Sequence, residues 1–218
     1  MQPVLRLYED TISGGASAIE LPALARMIFV VHGAVTIEGR RFGDGEAWHG
    51  EGAVAIAPGK DGATCWRYDL AADSSRGSMA VGPGAVSREK LSAELETLPK
   101  GDLLFRGDSV AFPPGGCAFL HKHWGPGIRC LIEGGIRIDT HGRSTSYGPG
   151  SAWYETGSDP VFAQAAADRP SRFIRVMILP RELLGKSSFQ YVNEEDKSKP
   201  RVQQYKVLVD APIARPQA

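Results

Sequence analysis

The stretch from Gly115 to Gly134 reads GGCAFLHKHWGPGIRCLIEG, with two histidines one residue apart between two glycine turns. Residues i and i+2 of a β-strand point to the same face, so His121 and His123 project together, about 6.6 Å apart along the strand. Two imidazoles on one face can ligate one metal ion. They can also be pocket histidines whose hydrogen bonds are satisfied without a metal. Either way, the stretch predicts a pocket beside a β-strand.

Turn residues punctuate the whole chain. The 218 residues include 26 glycines and 15 prolines, spread along the sequence between short apolar runs. This pattern is typical of an antiparallel sandwich or barrel. The hydrophobic content of 42% and the charged content of 23% are ordinary for a globular protein, so a packed core is expected.

Charge and hydropathy argue against several classes of partner. The formal net charge is zero and no basic stripe occurs, so we expect no nucleic-acid binding. No apolar run approaches the roughly 20 residues of a membrane span, and the N-terminus lacks the pattern of a signal peptide.

Cys65, Cys117 and Cys130 form no CxxC pair, which indicates free thiols in a reducing compartment. The expected location is cytoplasmic.

The two halves of the chain repeat one pattern. Gly14-Gly15 and Gly115-Gly116 stand 101 residues apart, and a four-residue insertion after residue 140 raises the offset to 105. The matched pairs are Gly33 and Gly134, Val35 and Ile136, Ile37 and Ile138, Gly43 and Gly148, Gly45 and Gly150, Trp48 and Trp153, and Gly52 and Gly157. One register shift keeps turn glycines and a tryptophan in step, which indicates an internal duplication of a small domain.

The segments outside the repeat also carry predictions. Ser78 to Val81 is expected to be a short strand. Ser87 is a suitable N-cap before REKLSAELETL, whose leucines share one helical stripe, so a short linker helix is predicted. Val202 to Val209 has strand character and no counterpart in the first half. Such a strand pairs with a sheet edge of the same chain or of a second subunit, and we expect a homodimer.

Two repeats of this kind resemble the cupin superfamily, and specifically a bicupin. The first cupin motif is a glycine, five residues, HxH, three or four residues, a glutamate, six residues and a glycine. Here Gly115, His121, His123 and Gly134 match the spacing, while Gly127 or Ile128 replaces the glutamate. In the second motif, P-x-G, two residues, H, three residues, N, this chain keeps the glycine. Glu155 and Pro160 replace the proline and the histidine, and Gln164 replaces the asparagine.

The resemblance implies an all-β fold of two double-stranded β-helix (jelly-roll) domains joined by a short linker helix. The expected divisions are a cupin domain over residues 1–85, a linker with a helix over 86–101, a cupin domain with the HxH site over 102–180, and a C-terminal extension over 181–218. In the first half the ligand positions hold Glu20, Pro22 and Arg26, so that domain is expected to be degenerate.

Cupins with this arrangement usually hold Fe, Mn, Ni, Zn or Co, so the resemblance implies one divalent transition metal on His121 and His123. Glu155 is either its third ligand or a turn carboxylate. Gln164 takes the place of the asparagine and is expected to face inward as a hydrogen-bonding group. Trp124 is expected at the barrel mouth, as a lip over a ligand.

The alternation of side chains along a β-strand predicts which residues after Gly127 face the barrel interior and which face away from it. If Gly127 faces inward, Arg129 and Leu131 also face inward and Cys130 faces outward. An arginine inside an apolar barrel needs an anionic partner, which is either Glu155 or a substrate carboxylate. The repeated tryptophans, Trp48 and Trp153, are expected in the core.

The resulting functional hypothesis is a metal-dependent small-molecule enzyme with its site in the second barrel. The resemblance implies a dioxygenase, isomerase, decarboxylase or lyase acting on a small carboxylate or aromatic acid, with no catalytic residue assigned. The alternative is a non-catalytic small-ligand binding or sensor bicupin, because the glutamate and the second-motif histidine are missing.

Overall fold

β-Strands of 3 to 18 residues follow one another along the described parts of the chain, as the frequent turn residues predict. A computed structural model describes residues 2–73 and 82–216, so the predicted strand Ser78 to Val81 lies outside the described residues. The strands are β1 (Val4–Ile12), β2 (Ile19–Leu21), β3 (Ala25–Ile37), β4 (Arg40–Gly43), β5 (Ala47–Gly50), β6 (Val54–Ala71), β7 (Ala85–Glu94), β8 (Leu103–Phe112), β9 (Cys117–His123), β10 (Gly127–Glu133), β11 (Ile136–Thr140), β12 (Arg143–Tyr147), β13 (Ala152–Glu155), β14 (Val161–Ala165), β15 (Ser171–Pro180), β16 (Phe189–Tyr191) and β17 (Gln204–Ile213). Two short 3₁₀ turns lie at Arg181–Leu183 and Glu194–Ser198.

The all-β prediction is confirmed, but the predicted linker helix is wrong. The segment Ala85–Glu94 is strand β7, which pairs antiparallel with β1. Ser87 does not cap a helix: it lies opposite Asp10, and its buried hydroxyl donates to that carboxylate. The leucine spacing favours a helix locally. Pairing with the edge of β1 and the buried Ser87–Asp10 hydrogen bond favour a strand more strongly, because strand formation depends on the neighbouring strand.

The chain divides into two compact units. The first comprises the residues up to Glu96 together with those from Ile213 onward. Within its described part, strands β4-β3-β6-β1-β7 form one sheet in that order, with β2 paired to β6 and β5 paired to β3. The longest strands, β3 and β6, pair along most of their length and carry the apolar interior of this unit. Trp48 packs in that interior, which confirms its predicted core role.

The second unit, Thr97–Pro212, contains the histidine stretch. Its described strands form two five-stranded sheets, in the orders β13-β10-β15-β8-β17 and β12-β11-β14-β9-β16. Apolar side chains from both sheets form one core cluster, which includes Trp153 in its predicted role. Buried and less buried residues alternate along β11 and β14, whereas β8, β10 and β15 are buried along most of their length.

The C-terminal segment extends both sheets of the second unit. Strand β16 pairs with β9, where Phe189 lies opposite His123, and β17 lies beside β8. Each of these two strands therefore lies next to a strand that contributes to the candidate site. No helix within the described residues has the length and apolar character needed to cross a lipid bilayer.

Candidate functional site

The two histidines project into one cavity of the second unit. Strand alternation puts His121 and His123 on the buried face of β9, and each is only 5% exposed. The cavity has a volume of about 20 Å³. Its lining mixes apolar side chains with a polar group made of His121, His123, Arg129, Glu155 and Arg175.

The orientation of each imidazole is held by its Nδ1 atom. His121 donates Nδ1–H to the carbonyl of Phe119 at 2.8 Å, so its Nε2 carries no proton when the ring is neutral. His123 places Nδ1 3.3 Å from the Ser188 hydroxyl. The two ring centroids are 4.9 Å apart with an interplanar angle of 83°. This is the way in which proteins fix the ring of a histidine whose other nitrogen has a function.

Both histidines are neutral at pH 7. Burial lowers the pKa of His121 to about 4, and it outweighs the opposing effect of the Glu155 carboxylate. Burial also lowers the pKa of His123 well below its ordinary value, with further lowering by the positive charge of Arg175. The cavity therefore offers uncharged imidazoles beside two guanidinium groups.

A cross-strand row places those guanidinium groups side by side. Arg129 lies opposite Trp153 on one neighbouring strand and opposite Arg175 on the other, and Arg175 lies opposite Asp108. Arg129 faces inward, as strand parity predicts, and Cys130 on the other face is also fully buried. Arg175 donates to the Asp108 carboxylate through Nε at 3.0 Å.

Glu155 is the charged partner of Arg129. Its Oε2 atom lies 2.7 Å from Nη2 of Arg129, but the two groups are not aligned for a hydrogen bond, so the contact is an ion pair. Its Oε1 accepts a hydrogen bond of 2.9 Å from the Trp153 indole. Arg129 also donates through Nη1 to the Gly127 carbonyl at 2.7 Å. Burial lowers the pKa of Arg129 to about 10, and Glu155 opposes this lowering, so Arg129 is charged at pH 7.

The three predicted metal ligands do not form a metal site of three residues. Glu155 Oε2 lies 3.9 Å from Nε2 of His123, yet the Arg129 guanidinium already neutralises that oxygen. The Phe189 ring stacks on His121 at 4.2 Å and 12°. Among the residues that the structure describes, no group of three or more His, Cys, Asp or Glu side chains is arranged to hold a metal ion. Two histidines remain as candidate ligands.

Two other predicted site residues lie outside the cavity. Gln164 was expected to face inward, but Val161, Ala163 and Ala165 occupy the buried face of β14 and alternation directs Gln164 to the opposite face. Trp124 is 53% exposed and lines a surface groove that also includes His123. The groove has a volume of about 330 Å³ and shares His123 with the lining of the cavity, while Trp124 lines the groove only.

Several site residues have no clear sequence signal. Ser188 and Phe189 reach the histidines only because β16 pairs with β9, and Tyr205 reaches the cavity from β17. Arg175 did have a signal: it is the charged residue in the apolar run FIRVMIL, and it shares strand parity with Phe173 and Met177. A buried arginine in a core strand points to a buried anionic partner or to a ligand site.

Comparisons with known proteins identify the fold. No protein-family model matches the sequence, and no curated protein matches it. The oxalate decarboxylase of Lactobacillus farciminis, solved as a formate complex, is similar with a TM-score of 0.63 and 14% identity over 89% of this chain and 82% of that one. The oxalate decarboxylase of Bacillus subtilis, solved at pH 4.6, gives a TM-score of 0.62 and 14% identity over 91% and 73%. A cupin 2 conserved barrel domain protein from Leptotrichia buccalis gives 0.48 and 11% over 81% and 84%.

At such low identity the likeness to the two decarboxylases concerns the fold alone. Together with the all-β architecture, it shows that this chain has a fold like that of the two oxalate decarboxylases.

Proposed function

We propose that the chain is a bicupin. Its first jelly-roll domain is degenerate, and its second jelly-roll domain keeps a ligand site. The repeated strand rows support this proposal. In the second unit the row is Trp153, Arg129, Arg175 and Asp108; in the first it is Trp48, Ile28, Arg67 and Tyr8. In the first unit Arg26, at the place of the motif glutamate, forms a buried ion pair with Asp69 at 3.0 Å.

We further propose that the second domain binds a small organic acid. The observation that carries this proposal is the pair of buried arginines, Arg129 and Arg175, beside two neutral histidines and a single carboxylate, Glu155, in a cavity whose lining is mostly apolar. Burying charges is costly, and packing alone would be served as well by apolar side chains. Guanidinium groups recognise carboxylates through paired N–H donors, and a neutral imidazole adds a donor or an acceptor.

The ligand would place its carboxylate near the arginines and its organic body outside the inner cavity. A cavity of about 20 Å³ has room for one water-sized group. Arg129 and Arg175 would supply charge, and Glu155 and Asp108 would hold both guanidinium groups in position. This role needs no residue to change its protonation state at pH 7.

A thermal-shift screen of small organic acids tests the proposal, with and without added divalent metal. We expect stabilisation by an acid in the presence of a chelator, and weaker stabilisation in the Arg175→Met variant. Stabilisation that appears only after metal is added would contradict a metal-independent binding site.

A metal-dependent cupin enzyme is the second candidate, and the orientation of the imidazoles favours it. Both Nδ1 atoms are held, so both Nε2 atoms are available as ligands. His121 and His123 would hold one Fe, Mn, Ni, Zn or Co ion, which supplies Lewis-acid or oxygen chemistry when bound. The reaction would be a dioxygenation, isomerisation, decarboxylation or elimination on a small acid. The solved oxalate decarboxylases of similar fold are consistent with a small acid under either candidate.

Elemental analysis of protein purified without chelators distinguishes the two candidates. A stoichiometric transition metal that is lost in the His121→Ala variant supports the enzyme. Metal-free protein that binds an acid in the presence of a chelator, and binds it more weakly in the Arg175→Met variant, supports the binding module.

A further inference from the structure

A second pocket in the second unit lies next to the inner cavity. The C-terminal segment forms it together with strands β8 and β15, and its volume is about 330 Å³. It shares Arg175, Phe189 and Tyr205 with the lining of the inner cavity. Phe189 is thus a wall between the two spaces, because it also stacks on His121. A pocket of this size is within the range of small-molecule sites.

The charges that line this pocket do not balance. Its lining contains four cationic side chains, Arg106, Arg175, Lys186 and Arg201, and two carboxylates, Asp108 and Asp210, which gives a net charge of +2. Arg106 pairs with Asp210 at 2.8 Å, and Arg175 pairs with Asp108 at 2.9 Å. Within residues 2–73 and 82–216, Asp108 and Asp210 pair with the other two cations of the lining, and neither Lys186 nor Arg201 forms an ion pair with a carboxylate. Two cations are therefore available to an anion that enters the pocket.

Aromatic rings accompany these cations. The guanidinium carbon of Arg201 lies 5.3 Å from the centre of the Phe189 ring and 5.1 Å from that of Tyr191. Arg201 also donates through Nε to the Tyr191 hydroxyl at 3.2 Å, which holds the guanidinium in place. Tyr205 and Val207 add exposed apolar surface to the lining. Phe189 already contacts His121 and Arg201, so a flat apolar body would pack on the exposed surface of Tyr205 and Val207 while an attached carboxylate meets the cations.

We infer that this pocket binds the anion of an aromatic carboxylic acid, with Lys186 and Arg201 as specificity-determining residues. This inference rests on the proposed binding of organic acids and names the class of acid and the place of its organic body. The carboxylate lies at Arg175, which lines both spaces, and Lys186 and Arg201 add positive charge on the side of the second pocket. Positive charge selects the carboxylate over a neutral amide, and the rings select an aromatic acid over a short aliphatic one.

Calorimetric titration with benzoate tests the inference, with benzamide as the uncharged analogue and acetate as the acid without a ring. We expect benzoate to bind more tightly than either. Lys186→Met and Arg201→Met should each weaken benzoate binding about two- to fivefold, as expected for exposed charges. The double variant should weaken it about tenfold or more. Arg143→Met, which removes an exposed arginine from β12, is the matched control and should bind as the wild type does.

The outcomes separate this inference from the proposed function. Benzoate binding that is unchanged in the double variant, with normal thermal melting, overturns the role of this pocket and leaves acid binding intact. Equal affinity for benzoate and benzamide overturns the charge argument. No binding of any acid by the wild type overturns the proposed function and this inference together.

Discussion

The buried histidines make the stability of the protein depend on pH below neutrality. The pKa of His121 falls from 6.5 to about 4 in the folded protein because the ring is buried. Between these two values the unfolded chain binds a proton that the folded chain does not. The free energy of unfolding therefore decreases as the pH falls through this window. Below about pH 4 the folded protein also takes up the proton, and the decrease ends.

The size of the effect follows from the shift. A shift of 2.5 pKa units corresponds to about 3 kcal/mol over the whole window. Between pH 7 and pH 5, His121 alone should account for about 2 kcal/mol. His123 adds to it with the same sign, because its pKa is lowered as well.

The assay is urea denaturation at pH 7 and pH 5 in the presence of a chelator, for the wild type and for His121→Phe. The phenyl ring cannot titrate and keeps an aromatic partner for Phe189. We expect the variant to lose about 2 kcal/mol less than the wild type between the two pH values. The matched control is His32→Gln, since His32 is exposed in the first unit. Equal losses in the wild type and His121→Phe would refute the buried, neutral state of His121.

Three further predictions concern stability, measured by urea denaturation at pH 7. Glu155→Gln leaves the buried charge of Arg129 without a carboxylate and should cost about 3–5 kcal/mol, whereas a loss below 1 kcal/mol would show that the pair is solvated. Arg67→Leu removes the cation that pairs with the buried Asp10 carboxylate, while Asp69 keeps its ion pair with Arg26, and it should cost a similar amount, so a neutral effect would contradict the buried network. Gly157→Ala should cost about 1–3 kcal/mol, because its backbone φ is +88° and a Cβ would lie 2.3 Å from the Gly125 carbonyl oxygen. Its repeat partner provides the control: Gly52→Ala has open space around it and should change stability by less than about 0.5 kcal/mol, and equal effects at both sites would refute the argument.

Local alternation was sufficient to predict the inward-facing side chains of β9 and β10. His121, His123 and Arg129 lie where a period of two puts them, since the pleat of a strand leaves no other choice. The same rule could have placed Gln164, because Val161, Ala163 and Ala165 define the buried face of β14. For Gln164, the alternation along β14 predicts the direction of the side chain correctly, whereas its position in the cupin motif does not.

Pairing over long distances in the sequence explains the remaining differences. Ser87 and its neighbours have a helical pattern, but β1 offers an open edge, and a buried carboxylate, Asp10, meets the serine there. Phe189 and Tyr205 come to the site from a tail that has no counterpart in the first half of the chain. The local sequence around Phe189 and Tyr205 does not indicate which strand β16 or β17 will pair with.

The central claim is that the histidine–arginine cavity of the second unit binds an organic acid without a metal. Long-range ¹H–¹⁵N NMR of the imidazole nitrogens, recorded at pH 7 in the presence of a chelator during a benzoate titration, tests it most directly. We predict two neutral rings, with the proton of His121 on Nδ1, whose ¹⁵N shifts change saturably as benzoate is added. Imidazole shifts that stay constant with benzoate, or that respond only once a divalent metal is supplied, would contradict the claim.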